Sequence, residues 1–176
     1  ELPTACRIRS AVSSNSGGSC RSGANLNWAL LEALWPCCRG QVRNISVPAF
    51  SGLKPYVNQR ANACLAHFGP IPPGTYYIVD RKSGGKLGWL WDMAGNRSEW
   101  FGLYADDQRI DDEVFCEEVK RGNFRLHPMV GRGISKGCIT IEKQSDFNRI
   151  RLMLRNAGTS AIPGTDLKTY GKITVR

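Results

Sequence analysis

From residue 42 to residue 141, short apolar runs alternate with turns rich in glycine and proline. The clearest run, residues 75–79 (TYYIV), follows the turn GPIPPG at residues 69–74, and its β-branched and aromatic residues favour a strand. The other strands predicted in this stretch lie at residues 42–50, 87–91, 100–104, 114–117, 123–127 and 138–141. Such a series predicts a mainly β fold, a β-sandwich or a small open barrel, with flanking helices.

Two segments instead have helical periodicity. Residues 25–35 carry apolar residues at helical spacing, and Pro36 ends the run. Residues 146–157 carry a second apolar stripe, with Ser145 as the predicted N-cap and Gly158 as the residue that follows the helix. The stripe of this second helix consists of Phe147, Ile150, Met153, Leu154 and Ala157. Residues 54–68 permit either a helix or a loop, and residues 172–176 predict a closing strand.

The chain has 176 residues, which suits a single domain over residues 1–176, and it contains neither an internal repeat nor an interdomain linker. Its 41% hydrophobic and 22% charged residues are typical of a globular protein and argue against disorder. No apolar run approaches the ~20 residues of a membrane-spanning helix. The sequence begins at Glu1 without a leader pattern, so we expect that a leader was removed or that the chain was trimmed.

A formal net charge of +9 favours an anionic partner: nucleic acid, an anionic lipid surface or an acidic cell-wall polymer. Charge alone does not choose among these partners, and a basic surface also serves solubility. The sequence contains no block of five consecutive basic residues, which counts against a disordered nucleic-acid-binding arm.

Seven cysteines are an odd number, which predicts three disulfides and one free thiol in an oxidising compartment. The spacing of the cysteines does not determine which of them pair with each other. The alternative is a zinc site, since Cys64 and His67 have half-site spacing and the adjacent Cys37 and Cys38 could supply further ligands. Adjacent cysteines without a spacer are atypical of structural zinc, so disulfides are favoured and no metal is predicted. The cysteines expected to pair are Cys6, Cys20, Cys37, Cys38, Cys64 and Cys116.

The free thiol is expected at Cys138, because His127 and several glycines lie near it in the sequence. A cysteine nucleophile reacts as the thiolate, and a nearby imidazole can take its proton. Gly131 and Gly133 give the connection the flexibility to bring the two side chains together. Gly137 removes a Cβ next to the sulfur, so that the backbone N–H groups of Gly137 and Cys138 can point at a developing oxyanion. The alternative is that Cys138 is a buried half-cystine and His127 a surface residue.

The segment Ser135-Lys136-Gly137-Cys138 resembles the Ser/Thr-x-Gly-Cys signature of the YkuD-like L,D-transpeptidases. The chain resembles a short branch of that group more closely, the type VI secretion L,D-transpeptidase effectors. The matching phrases, in the same order, are residues 49–52 (AFSG), 69–81 (GPIPPGTYYIVDR), 125–128 (RLHP) and 135–141 (SKGCITI). Residues 1–48 and 142–176 carry no phrase of the family.

The sequence departs from the larger L,D-transpeptidase family at three points. Seven residues separate His127 from Ser135, a shorter gap than in the larger family but one that fits the effector branch. Lys136 stands where the larger family has a second histidine. Thr140 stands where the larger family has an arginine.

The resemblance implies an L,D-transpeptidase-like β core at residues 49–141, and the residue patterns add a helix and strand within residues 142–176. It assigns Cys138 as the nucleophile, His127 as the proton carrier and Ser135 as the hydroxyl that orients the active-site loop. The implied reaction cleaves the L,D bond between the diamino acid and D-Ala of peptidoglycan tetrapeptide stems, or exchanges that D-Ala, without a cofactor.

The resemblance also implies a biological setting. The chain would be an antibacterial toxin, delivered by a contractile secretion apparatus into the periplasm of a target bacterium. A cognate immunity protein would be its partner in that periplasm.

Three basic residues are candidates for substrate binding. The guanidinium of Arg125 suits a substrate carboxylate, although a structural salt bridge is an equal alternative. Arg132 and Lys136 flank the thiol in sequence, so we expect them to lower its pKa or to attract an acidic stem peptide.

Two other function classes stay open. A basic, disulfide-rich binding module or inhibitor needs no free thiol and leaves stem peptides intact. A metal-dependent nuclease toxin, or a glycosidase, requires converging carboxylates. Residues 106–107 and 111–113 are the candidate carboxylates, but they lack metal-ligand spacing.

Overall fold

The computed structural model describes residues 23–27, 30–36, 42–81, 99–131 and 133–176, and for residues before 45 it describes the backbone alone. These residues form eleven strands, one 3-10 turn at Arg60–Asn62 and one α-helix. The strands are β1 (Gly23–Asn27), β2 (Leu30–Pro36), β3 (Val42–Phe50), β4 (Gly74–Asp80), β5 (Phe101–Ala105), β6 (Glu113–Cys116), β7 (Val119–Gly122), β8 (Arg125–Pro128), β9 (Ile139–Ile141), β10 (Ser160–Ala161) and β11 (Lys168–Val175). The helix, α1, spans Gln144–Ala157.

Nine of these strands form one mixed sheet in the order β1-β2-β3-β9-β8-β5-β4-β11-β10, and β6 pairs with β7 as a separate hairpin. Strand β1 also pairs in parallel with β11, from Gly23↔Lys172 to Leu26↔Val175. This additional pairing closes the sheet on itself. The predicted mainly β fold is confirmed in the described part of the chain, where eleven strands accompany one α-helix.

The core lies on one face of this sheet, where α1 packs. Strands β4 and β5 contribute Tyr76, Ile78, Phe101 and Leu103 to it, and every one of these side chains is fully buried. Helix α1 adds three buried residues on a single stripe, Phe147, Ile150 and Leu154. The helix therefore covers the apolar face of the sheet. Burying each such side chain contributes roughly 1.5–3 kcal/mol to the free energy of folding.

A smaller apolar cluster covers the other face of β4 and β5. It contains Tyr77, Val79, Tyr104 and Ile162. Because successive strand residues point to opposite faces, β4 and β5 are buried on both sides, which explains their continuous apolar character.

The predicted helix at residues 25–35 is wrong, because this segment forms β1 and β2. Apolar residues at positions 30 and 34 satisfy both a helical repeat and the two-residue repeat of a strand, so the pattern was ambiguous there. Residue 26 pairs with residue 31, on the other face of the hairpin. Pairing decides it: β1 bonds to β2 and β11, and β2 bonds to β3 along its whole length. Backbone partners on neighbouring strands thus override local helix propensity.

The other predicted strands mostly hold. The strand at 42–50 is confirmed as Val42–Phe50, the run 75–79 lies within β4, and the closing strand 172–176 falls largely within the longer β11. The runs 100–104, 114–117, 123–127 and 138–141 correspond to β5, β6, β8 and β9 with bounds shifted by one or two residues. Strands β7 and β10 were not predicted, and the strand predicted at 87–91 lies outside the described residues.

The second helix is confirmed, with corrections at its ends. It begins at Gln144, so Ser145 lies within its first turn, and Lys143 occupies the N-cap without a side-chain hydrogen bond. Gly158 ends the helix with a φ of +73°, as expected for a glycine at that position. Ala157, predicted in the apolar stripe, is exposed. The ambiguous segment 54–68 is a series of turns around Arg60–Asn62.

A disulfide between Cys64 and Cys116 joins the loop before β4 to the β6–β7 hairpin. Cys64 therefore cannot act as a thiolate ligand, which argues against the alternative of a zinc site. Cys138 is a free thiol, as predicted. The remaining four cysteines, Cys6, Cys20, Cys37 and Cys38, lie outside the described residues. No helix in the described part of the chain is long and apolar enough to cross a membrane.

Replacing both Cys64 and Cys116 by serine should lower the free energy of unfolding by roughly 2–4 kcal/mol, because the cross-link closes a long loop in the unfolded chain. Urea unfolding followed by circular dichroism measures the change. The same phosphine reductant should be given to the wild type and to the double variant, and their midpoints should then coincide, because it opens any further disulfide in both. Equal midpoints for the oxidised wild type and the double variant would contradict the prediction.

Candidate active site

Strands β8 and β9 bring His127 and Cys138 to the same face of the sheet. They pair in parallel with Leu126 opposite Ile139 and His127 opposite Thr140. Leu126 and Ile139 point into the core, so His127 and Thr140 point to the other face. Continuing the register by one residue places Cys138 beside Arg125, on the face of His127. The register therefore places the two predicted catalytic residues diagonally, two positions apart on the same face.

The imidazole of His127 is held in one orientation. Its Nδ1 lies 2.8 Å from the carbonyl oxygen of Pro128, and because a carbonyl only accepts, Nδ1 carries the proton. The neutral ring then presents Nε2 as an acceptor, 3.5 Å from the Thr140 hydroxyl. The ring of Trp100 stacks on the imidazole. The Pro128 carbonyl is thus the group that orients His127, which sequence reasoning did not identify.

Cys138 is partly exposed as a whole residue, but protein atoms surround most of its thiol. Its Sγ contacts the carbonyl oxygen of Asn123 at 3.8 Å. Burial raises the pKa of the Cys138 thiol, while a backbone hydrogen bond from Arg125 and the charges of Arg125 and Arg81 act to lower it. The net effect is upward, so the resting group is a protonated thiol at neutral pH. A reaction at this sulfur therefore needs a base.

Two buried serine hydroxyls fix the loop that carries Cys138. Ser135 donates to the carbonyl of Cys138 at 2.7 Å and accepts from the amide of Gly52 at 3.3 Å. Ser51 donates to the carbonyl of Gly137 at 3.2 Å and accepts from the amide of Ile71 at 2.8 Å. These hydroxyls therefore join three segments that are separate in sequence, at residues 49–52, 69–81 and 135–141.

Gly137 occupies a position that no other residue fits. Its φ is +109°, and a Cβ placed there would lie 2.6 Å from Nη2 of Arg121 and 2.7 Å from Cε1 of Phe124. Arg121 is itself buried, and its guanidinium donates to the carbonyls of Ala63, Gly69 and Pro70. The loop beside Cys138 thus packs directly against an arginine that ties the β7 strand to the loop before β4. Sequence reasoning missed Arg121.

The three candidate substrate-binding residues have different outcomes. Arg125 forms a two-pronged ion pair with Asp112, with N–O distances of 2.6 and 2.5 Å. The salt-bridge alternative is therefore present, and a substrate contact by Arg125 stays a prediction. Lys136 is exposed beside Cys138. Arg132 lies outside the described residues.

Cys138 opens into a cleft of about 490 Å³. One wall is the β6–β7 hairpin with Lys120 and Arg121, and the other includes Ala66 and His67, next to the disulfide. Lys136 also lines the cleft.

The two acidic residues of the cleft are neutralised, Asp112 by Arg125 and Glu113 by Lys120 at 2.6 Å. The basic residues Lys136 and Arg121 have no acidic partner among the described residues. Their positive charge therefore favours an anionic group in the space in front of the thiol.

The acidic segments at 106–107 and 111–113 do not converge on one point. Asp106 pairs with Lys172, and Asp112 with Arg125. Asp107 and Asp111 accept backbone N–H groups within their own turn. In the part of the chain that the structure describes, no group of three or more His, Cys, Asp or Glu could hold a metal ion. These contacts give the carboxylates structural roles.

A family model described as the Tlde1 domain matches residues 45–165. The match runs from β3 to the turn after β10 and includes His127, Ser135 and Cys138. Comparison with curated proteins gave no match, and comparison with solved structures gave none either.

Gly137→Ala should slow alkylation of Cys138 by iodoacetamide by roughly 100-fold, because the new Cβ collides with Arg121 and Phe124 and displaces the loop. The matched control is Gly131→Ala in the same connection. Gly131 also has a positive φ, of +55°, but an added Cβ meets nothing within 4 Å there. Equal effects of the two substitutions would show that backbone strain alone, and not packing against Arg121, governs the loop.

Proposed function

Because this chain belongs to the Tlde1 domain family, the type VI secretion L,D-transpeptidase effectors, we propose that it cleaves the L,D bond of peptidoglycan tetrapeptide stems through Cys138. The bond lies between the diamino acid at the third position and D-Ala at the fourth. The same intermediate would allow exchange of D-Ala for another D-amino acid, so the proposed activities are L,D-carboxypeptidase and L,D-transpeptidase.

The observation that supports this proposal best is the β8–β9 register. Along this register the free thiol of Cys138 and the imidazole of His127, whose Nδ1 faces the Pro128 carbonyl, are on the same face, which supports their proposed roles. A nucleophile, a base and a group that orients the base are the parts that covalent acyl transfer requires. Here Cys138, His127 and the Pro128 carbonyl supply them.

In the first step, Nε2 of His127 takes the proton of the Cys138 thiol, and the thiolate attacks the carbonyl carbon of the diamino acid. The raised pKa of the thiol makes this proton transfer necessary at neutral pH. The negative charge that develops on the carbonyl oxygen would be met by the backbone N–H groups of Gly137 and Cys138.

Collapse of this intermediate breaks the C–N bond. His127 returns its proton to the departing amine of D-Ala, and the acyl group stays on Cys138 as a thioester. In the second step His127 deprotonates water, which gives a tripeptide stem and the free thiol. The amine of a free D-amino acid would give exchange instead, and the amine of a neighbouring stem a 3–3 cross-link.

Ser135 would serve this chemistry through the loop. Its buried hydroxyl bonds the Cys138 carbonyl and the Gly52 amide, so it sets where the sulfur and the oxyanion amides point. The basic side of the cleft, with Lys136 and, by prediction, Arg132 and Arg125, would attract the carboxylates of a stem peptide.

In a cell, this activity would act as a toxin. Trimmed or exchanged stems no longer serve as donors for the enzymes that cross-link the wall. We propose delivery by a type VI secretion apparatus into a rival's periplasm, where an immunity protein would block the cleft. The Cys64–Cys116 disulfide is in keeping with an oxidising compartment.

Incubation with purified disaccharide tetrapeptide in H₂¹⁸O should yield a disaccharide tripeptide that carries one ¹⁸O atom, measured by mass spectrometry. Adding D-Met should yield the exchanged tetrapeptide, and the ratio of the two products measures how water and amines compete. Cys138→Ala should abolish both products, and His127→Gln should lower both by roughly 100-fold or more.

The matched control is the Cys64→Ser, Cys116→Ser double variant, which removes two cysteines but keeps Cys138. Unchanged tetrapeptide with the wild type would favour the binding-module alternative. Product formation by Cys138→Ala at the wild-type rate would overturn the nucleophile assignment.

A further inference from the structure

Trp100 lies flat against the ring of His127. It immediately precedes β5, and the pairing of Phe101 with Leu126 places it opposite His127 on the neighbouring strand. The two ring centroids are 4.3 Å apart, and the ring planes differ by 19°. This is a stacked arrangement, with the electron-rich face of the indole against the imidazole.

We propose that Trp100 is the positioning residue of His127, which fixes the plane of its ring and stabilises its protonated form. Its effect on the imidazole is independent of the reaction, whereas its consequence for catalysis rests on the proposed function. Trp100 acts through His127 and is not itself a catalytic residue.

The geometric argument starts from the two edges of the imidazole. Nδ1 is held by the Pro128 carbonyl, and Nε2 faces the Thr140 hydroxyl. These contacts define an axis through the ring, and neither prevents the ring from rocking about that axis. A flat partner on the ring face does prevent it, and Trp100 offers the largest such face of any side chain.

The electrostatic argument concerns the imidazolium that forms when His127 takes the thiol proton. Among the described residues, three charged groups act on the Cys138 thiol: Arg125 on β8, its partner Asp112, and Arg81, which follows β4 and also lies over the Trp100 ring. Glu99, next to Trp100, pairs with Arg151 of α1. The two arginines disfavour a further cation in this region, and Asp112 is already paired. The indole face supplies compensating negative potential, since a cation over tryptophan is stabilised.

The guanidinium of Arg81 lies over the same indole, with its Cζ 5.8 Å from the ring centroid. Trp100 therefore contacts a permanent cation as well as the ring that, in the proposed function, becomes a cation transiently. We expect the imidazolium to lose its stabilisation when the π system is removed, and to keep most of it when another aromatic ring takes the place of the indole.

The test compares Trp100→Leu with Trp100→Phe by NMR titration of ¹³C-labelled histidine. The chain has two histidines, so His67 is an internal reference. The pKa of His127 should fall by about 0.5–1 unit in Trp100→Leu and by less than half as much in Trp100→Phe. The pKa of His67 should not change. Identical titration of His127 in the wild type and Trp100→Leu would overturn the proposal, as would equal falls in the two variants.

Global labelling with 5-fluorotryptophan provides a test that nearly preserves packing, in case Trp100→Leu does not fold. Fluorine withdraws density from the π system at almost constant volume, so the labelled wild type should have a lowered His127 pKa. Labelled Trp100→Phe is the control and should match its unlabelled form. No shift in the labelled wild type would overturn the electrostatic part of the proposal.

Alkylation of Cys138 across pH gives the functional readout. In Trp100→Leu the rate at neutral pH should fall roughly threefold or more, because the weaker base takes the thiol proton less readily. A shifted His127 titration without turnover of tetrapeptide would support Trp100 as the positioning residue and refute the proposed function. Turnover with an unshifted titration would do the reverse.

Discussion

The parallel pairing of β8 with β9 is the constraint on which the site depends. Parallel neighbours usually need a crossover of a dozen or more residues, yet here residues 129–138 connect them directly. Within this short connection Gly131, Gly133 and Gly137 all have positive φ, a conformation that glycine adopts without steric cost. Gly137, where an added Cβ would meet Arg121 and Phe124, is the glycine on which the position of Cys138 depends most directly.

At this site, burial of the Cys138 thiol and its reactivity as a nucleophile have opposite requirements. Enclosing the thiol raises the pKa of Cys138, so the proposed reaction needs a base to take its proton. The imidazole would then become a cation in an almost fully buried position, where charge is costly. The Pro128 carbonyl and the Trp100 face would offset that cost on two different sides of the ring. Ser51 and Ser135 keep the facing loop in register while this happens.

The sequence was informative where local pattern and chemistry coincide. Strands β3 to β6, β8 and β9, helix α1 and the free thiol followed from residues close together in the chain, and the family resemblance implied the loop role of Ser135. The prediction for residues 25–35 failed because positions 30 and 34 fit a helix and a strand equally, and only pairing with β3 and the distant β11 decides. Trp100, the Pro128 carbonyl, Arg121 and the Arg125–Asp112 pair could not be predicted, since each depends on contacts that only the folded sheet creates.

The central claim is that the sulfur of Cys138 carries the acyl group during turnover, and trapping that species tests it most directly. Wild-type protein mixed with disaccharide tetrapeptide and quenched in acid during turnover should show, by intact mass, a covalent adduct equal to the disaccharide-tripeptide acyl group. Proteolysis should locate the adduct on the peptide that contains Cys138. An adduct on a different residue, or undiminished turnover after Cys138 has been alkylated, would contradict the account.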